Sequence, residues 1–169
     1  SDKRGNVVAS WSSFAIQGGG EAGQMTRGVP AAVIREFVDI VRGAQPVYSL
    51  ETEWGLMPLA TARKLGVPES WLDRLEAHNG QRRQAVTVNR AAAATDAASH
   101  LQPGDILLTV DGELVSTFRE VEIAMQKPAV TLEVWRNDAL LTATVETEVL
   151  DGGSADRVVQ WAGALLQDP

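Results

Sequence analysis

The most informative segment of the chain reads Leu101-Gln102-Pro103-Gly104-Asp105-Ile106-Leu107-Leu108-Thr109-Val110-Asp111-Gly112. Its two dipeptides Pro103-Gly104 and Asp111-Gly112 are typical of turns. The residues between them, Ile106 to Val110, are almost all apolar. A short apolar run bounded by turn residues predicts a strand that is buried on both faces. We therefore expect a core strand at 106–110.

Periodicity and turn residues predict the remaining elements in the same way. Strands are expected at 6–14, 46–54, 84–89, 129–136 and 139–149, and helices at 30–42, 58–65, 68–78, 92–100 and 118–126. Glycines at 18–20 and 23 predict a loop, and residues 151–154 have the composition of a linker. For 156–166 the pattern leaves a helix and a strand open. The short strands and helices predict an α+β fold, a small β-barrel or sandwich with two main helices.

Size and composition restrict the class of protein. The 169 residues suit one domain of about 100 residues with flanking pieces. The net charge is −7 and basic residues never cluster beyond pairs, which argues against nucleic-acid binding. Apolar runs fall short of the ~18 residues of a membrane span, so we expect no membrane insertion. The lack of cysteine excludes disulfides, thiolate catalysis and cysteine-based zinc sites.

The segment from Leu101 to Val115 resembles the PDZ domains of HtrA/Deg-type serine proteases, which carry an LxxGDxILxVNGxxV motif. The matching residues here are Leu101, Gly104-Asp105, Ile106-Leu107, Val110, Asp111-Gly112 and Val115. The resemblance extends over almost the whole chain. Residues 50–71 and 82–84 resemble the first PDZ domain of the long Deg proteases of plants and fungi.

The flanking segments resemble other parts of the same proteases. Residues 5–14, with Arg27-Gly28-Val29-Pro30, are similar to the end of the trypsin-like barrel, where a turn leads into a closing helix. Residues 156–169 resemble the start of a following PDZ-like module. The resemblance thus implies three parts: a protease-domain end with one strand and a helix at 1–45, a PDZ domain at 46–150, and a linker with the next module at 151–169.

Proteolysis by this family requires a His-Asp-Ser triad and a GNSGG-type loop that supplies the oxyanion hole. The sequence contains no GxSGG stretch, so Ser10, Ser12 and Ser13 are interpreted as structural residues of a strand. His78 and His100 also lack the catalytic context and are interpreted as structural. Two isolated histidines do not provide the three or four ligands that zinc requires. We expect this segment to contain no catalytic residue, no cofactor and no metal.

The resemblance implies a peptide-binding groove, in which an extended ligand adds a strand to an exposed sheet edge. The expected groove residues are Leu50, Glu51, Thr52 and Trp54 from a strand, and Phe118, Val121, Glu122 and Met125 from a helix. Glu51 stands where the family has the glycine of its YLGV-like loop. Its carboxylate would repel a peptide's C-terminal carboxylate. The groove is therefore expected to bind internal segments, another part of the parent protein, or nothing.

The resulting hypothesis is a peptide-binding, regulatory PDZ portion of an HtrA/Deg-like serine endopeptidase that acts in protein quality control. Its partners would be extended or unfolded polypeptides and other domains of the parent. One alternative is a non-enzymatic PDZ scaffold or pseudo-protease, and another is an adaptor that is complete at 169 residues. Homo-oligomerisation is left open. The resemblance favours the periplasm or cell envelope if the source is bacterial.

Overall fold

The computed structural model describes residues 2–18, 21–150, 158–161 and 164–167. The chain divides into two compact units, residues 1–46 and 47–169, and each is described by itself. The linker expected at 151–154 lies outside the described residues. Within them, no helix combines the length and the apolar character needed to cross a membrane.

The first unit is a β-hairpin followed by a helix. Strand β1 (Ala9–Gly18) pairs antiparallel with β2 (Glu21–Pro30), in a register that places Ala9 opposite Pro30. Helix α1 (Ala31–Arg42) begins directly after Pro30, because proline suits the start of a helix. It ends at Gly43, whose backbone N–H donates to the carbonyl of Asp39 at 2.9 Å.

Three expectations for this unit are wrong. The first strand begins at Ala9, three residues later than predicted, and continues to Gly18. The predicted loop fails at residues 21–23, and the predicted turn at 27–30 fails too, because both stretches belong to β2. Glycine weakens a strand but does not prevent its backbone from pairing. The unit therefore holds two strands and a helix, where one strand and a helix were expected.

The second unit is built on an antiparallel sheet with strand order β4-β5-β6-β8-β9, and β7 pairs with β6 beside this path. Two further strand pairs, β3 with β10 and β11 with β12, lie outside that sheet. The strands are β3 (Val47–Ser49), β4 (Thr52–Pro58), β5 (Gln84–Ala91), β6 (Ile106–Val110), β7 (Glu113–Leu114), β8 (Ala129–Arg136), β9 (Ala139–Glu146), β10 (Glu148–Leu150), β11 (Val158–Trp161) and β12 (Ala164–Gln167). The helices are α2 (Leu59–Lys64), α3 (Glu69–His78), α4 (Asp96–His100) and α5 (Phe118–Ala124).

Several boundaries differ from the prediction. The strand expected at 46–54 is two strands, β3 and β4, separated by Leu50 and Glu51. The helix expected at 92–100 begins only at Asp96, because the Thr95 side chain caps it by accepting a hydrogen bond from the backbone of Ala98. The strand expected at 139–149 is also split, into β9 and β10. In 156–166 the described residues form strands, not a helix.

Strand β6 separates two hydrophobic clusters, and all five of its residues are buried. The α5 cluster consists of Leu50, Val86, Val88, Ala97, Leu101, Leu107, Val110, Val115, Val121, Met125, Val130, Leu132, Val134 and Val145. The α3 cluster consists of Leu59, Ala62, Val67, Leu72, Leu75, Ala85, Ile106 and Leu108. The predicted doubly buried strand at 106–110 is therefore correct.

A bulge in β6 sets which side chains face each cluster. Leu107 pairs with Val134 and Thr109 pairs with Glu133, so Leu108 is an extra residue in β6. In a regular strand, residues 107 and 109 would share a face. The extra residue shifts the alternation, so that Val110 joins Leu107 in the α5 cluster. Thr109 instead donates to the Glu133 carboxylate at 2.6 Å.

Asp105 is a buried carboxylate at the entrance to β6. It accepts two hydrogen bonds at 2.6 Å from the guanidinium of Arg136, which also donates to the carbonyl of His100. The backbone N–H of Gln102 donates to the same carboxylate at 2.9 Å. Asp105 thereby joins the turn before β6 to the end of β8, and raises the pKa of Arg136 through these hydrogen bonds.

Replacing this carboxylate by an amide should destabilise the fold. Asp105→Asn leaves the Arg136 guanidinium half-satisfied in a mostly buried site, so we expect the free energy of unfolding to fall by about 3 kcal/mol. Urea denaturation followed by circular dichroism measures this loss. Asp73→Asn, an exposed position on α3, is the matched control and should change stability by less than ~0.5 kcal/mol. Equal effects of the two substitutions would contradict this role for Asp105.

Candidate functional site

Strand β4 forms one edge of the sheet. It pairs with β5 along its whole length, from Thr52 opposite Ala91 to Pro58 opposite Gln84. Among the described residues, no strand pairs with its other edge. Such an edge presents backbone N–H and C=O groups that can accept an additional strand.

Helix α5 lies beside this edge. Val121 of this helix and Met125 at its C-cap pack in the α5 cluster together with Leu50, which lies two residues before β4, and Trp54 of β4 packs against the same cluster. Phe118 and Glu122 of the helix and Met125 after it recur at the spacing of one helix face. The strand and the helix thus cover the same hydrophobic cluster.

The first turn of α5 is fixed by Glu120. Its carboxylate accepts hydrogen bonds from the backbone N–H groups of Ser116 and Thr117, at 2.7 and 2.9 Å. The Thr117 hydroxyl accepts from the N–H of Glu120, which completes a capping box. The ring of His78, at the end of α3, lies 3.0 Å from the other oxygen of Glu120.

Further hydrogen bonds fix both ends of α5 to the rest of the unit. Near its start, Gln84 donates to the carbonyl of Ser116 at 2.8 Å. Beyond its last turn, the side-chain amide of Gln126 accepts from the N–H of Tyr48 at 3.1 Å and donates to the carbonyl of Tyr48 at 2.9 Å. Because Gln84 faces Pro58 and Tyr48 precedes Leu50, α5 runs antiparallel to β4.

The sequence-predicted groove residues of β4, α5 and their ends differ in how far they are buried. The side chains of Leu50, Val121 and Met125 are buried and belong to the hydrophobic core. Thr52 and Trp54 are half-buried. Phe118 is 39% exposed, and Glu122 is exposed on the same helix face.

Leu56 is an exposed apolar residue next to the predicted ones, and the sequence analysis did not name it. It lies two residues beyond Trp54, on the same face of β4, and is 44% exposed. The predicted strand ended at Trp54, although the alternation of side chains that reveals this position continues to Leu56.

Glu51 lies in a left-handed turn, with φ of 47°, and not in a strand. Its N–H donates to the Ser49 hydroxyl at 2.9 Å, and its carbonyl accepts from the N–H of Ala92 at 2.8 Å. Left-handed conformations favour glycine, which the PDZ-like loop pattern has at this position. The side chain of Glu51 is exposed.

The two histidines lie beside single carboxylates. His78 contacts Glu120, and His100 lies 3.5 Å from Asp96. In the part of the chain that the structure describes, His, Asp and Glu side chains form no group of three or more that could hold a metal ion. β1 contains Ser10, Ser12 and Ser13.

Comparison with known proteins places these features in a family. "Protease Do-like 7" of Arabidopsis thaliana is 29% identical over 99% of this chain. "Pro-apoptotic serine protease NMA111" of Eremothecium gossypii is 30% identical, also over 99% of the chain. The solved HtrA-type protease AlgW with a decapeptide superposes on 88% of the chain with a TM-score of 0.53 and 20% identity, covering 43% of that structure.

The chain is HtrA-type. Its fold is α+β with a PDZ-like sheet and helices, as the sequence analysis predicted. No family model matches it. The HtrA-type chain spans less than a fifth of the curated relatives it matches, 18% of each of the two named. Both of these relatives are named as proteases.

We expect the start of α5 in this HtrA-type chain to be sensitive to acid through Glu120. Burial, the largest single contribution, acts to raise the pKa of Glu120. Hydrogen bonds from the Ser116 backbone, His78, Thr117 and the Ser116 side chain together outweigh it and hold the pKa below its ordinary value of 4.5. The stabilisation is therefore present above pH 4.5, and it is lost as the pH falls through the lower pKa of the folded state.

Glu120→Gln tests this contribution. We expect the free energy of unfolding to fall by about 1 kcal/mol at neutral pH, because the amide accepts these hydrogen bonds less strongly. The difference from the unsubstituted chain should shrink as the pH is lowered below 4.5, where Glu120 itself becomes protonated. Urea denaturation across this pH range measures it. Glu113→Gln, at an exposed position of β7, is the control, and a gap that grows towards acid would contradict the assignment.

Proposed function

We propose that this chain is the peptide-binding, regulatory PDZ portion of an HtrA-like serine endopeptidase. The free edge of β4 beside α5 carries this proposal. An extended polypeptide would pair with β4, and its side chains would contact the exposed face of α5. Backbone hydrogen bonds would supply affinity, and the flanking side chains would supply selectivity.

The apolar surface in the groove supports binding of unfolded chains. Phe118 and Leu56 expose large apolar side chains on its two sides, while Trp54 is half-buried between core and solvent. Buried apolar groups become available when a protein unfolds, so such a groove selects non-native polypeptide. This supports a function in protein quality control for the parent protease.

The peptide-bond hydrolysis itself is assigned to the parent protein. Acyl transfer needs a serine, a histidine, an orienting acid and an oxyanion hole together. The sequence here has no GxSGG stretch, and His78 and His100 each lie beside a single carboxylate on α5 or α4. Residues 1–169 alone should therefore bind peptide without cleaving it. Their regulatory function would be exerted on other domains of the parent.

Phe118→Ala tests the groove, with Ile123→Ala as the matched control. Both residues are exposed and apolar and lie on α5, but Ile123 is roughly 140° around the helix axis and lines the opposite side with Val110 and Leu114. We expect Phe118→Ala to weaken binding about tenfold, since a phenylalanine contact contributes about 1.5 kcal/mol. Ile123→Ala should change it less than twofold.

Fluorescence polarisation of peptides selected from a random library on the full chain measures both affinities. Circular dichroism establishes that each variant is folded. Equal weakening by the two substitutions, or no binding of any peptide to the folded chain, would refute a groove between β4 and α5.

A further inference from the structure

Resting on the proposed groove, we propose that its ligand is an internal segment of polypeptide with a lysine or arginine beside Glu51, and not a free C-terminus. Two independent features carry this inference. One is the hydrogen bonding of the turn before β4, and the other is the balance of charge around it.

Both backbone polar groups of Glu51 in this turn have partners within the domain. Capture of a terminal carboxylate needs backbone N–H groups that point outward without a partner. The N–H of Glu51 already donates to the Ser49 hydroxyl at 2.9 Å. The Glu51 carbonyl accepts from the N–H of Ala92 at 2.8 Å, which fixes the following peptide group, between Glu51 and Thr52. A terminal carboxylate would have to displace the hydroxyl and then lie next to the Glu51 side chain.

The charge of the turn favours a cation. A cavity of about 300 Å³ opens at this place and is lined by Ser49, Glu51, Thr52, Glu53, Arg90 and Ala92. Glu53 has its own partner in Arg90, the residue opposite it in the sheet, with 3.9 Å between the Arg90 Nε and a carboxylate oxygen of Glu53. No basic side chain of the described residues forms an ion pair with Glu51. One negative charge is therefore left over at the end of the β4 edge.

The α5 side of the groove does not reverse this balance. Glu122 is exposed on the groove face of the helix, and its partner Arg119 lies 3.4 Å away on the same helix. A segment that pairs with β4 and continues past Glu51 can place a long basic side chain in the cavity. The apolar part of that side chain would lie along the cavity wall, and its cationic group would reach the Glu51 carboxylate.

The experiment selects binders on the full chain from two peptide libraries of equal length. In one library the random segment is followed by a constant glycine-serine tail, and in the other it ends in a free carboxylate. We expect enrichment from the tailed library, with lysine or arginine concentrated at one position. Affinities of the selected peptides are then measured by fluorescence polarisation at low and high salt.

Three variants connect the result to the turn. Glu51→Gln should weaken binding of the basic peptides about two- to fivefold and remove most of its salt dependence, as expected for one exposed ion pair. Glu113→Gln removes the same charge from β7, away from the groove, and should leave the affinity unchanged. Ser49→Ala combined with Glu51→Gly frees the backbone N–H and should let the free-carboxylate library yield binders.

The outcomes separate this inference from the groove itself. Enrichment only from the free-carboxylate library would overturn the inference and retain the proposed function. Tailed binders without a basic preference, or a combined variant that folds and still rejects free carboxylates, would also overturn it. No enrichment from either library would overturn both the inference and the proposed groove.

Discussion

Strand β6 is enclosed on both faces, by the α5 cluster on one side and the α3 cluster on the other. A strand in this position tolerates no polar side chain without a partner, and Thr109 satisfies this condition through Glu133. The turn before it is fixed by the buried pair of Asp105 and Arg136. Because β5 and β8 both pair with β6, the position of every other strand in the sheet follows from this one.

The proposed groove depends on this core without being part of it. Leu50, Val121 and Met125 are buried in the α5 cluster, so the strand and the helix are held from below. The exposed surface above them, with Phe118, Glu122 and Leu56, is free to contact a ligand. The hydrophobic core and the proposed binding surface therefore use the same strand and helix, and neighbouring positions on α5 are either buried or exposed.

Sequence reasoning was sufficient where the signal is local. Turn dipeptides and an apolar run locate β6, and the helical spacing of Phe118 to Met125 locates the groove helix. It was insufficient where the structure departs from regular geometry. The break between β3 and β4 requires Glu51 to adopt a left-handed conformation, which a residue with a β-carbon seldom does. The sequence of β6 likewise contains no pattern that predicts its bulge.

The same limit applies to the site. Leu50, Val121 and Met125 fit the pattern of a groove as well as that of a core, because both patterns follow one face of an element. Only the three-dimensional arrangement shows that they are buried and that Leu56 is exposed. Likewise, the hydrogen bond from Glu51 to the Ser49 hydroxyl depends on a turn that no periodicity describes.

The amide of Gln126 bridges the far end of α5 to both polar groups of the Tyr48 backbone, and Glu120 secures the near end. These hydrogen bonds oppose an outward movement of the helix. If the proposed groove keeps this helix position, peptide binding should require little rearrangement of the domain. Most of the conformational entropy lost on binding would then be lost by the peptide. Segments that are already extended when unbound should therefore bind more tightly than compact ones.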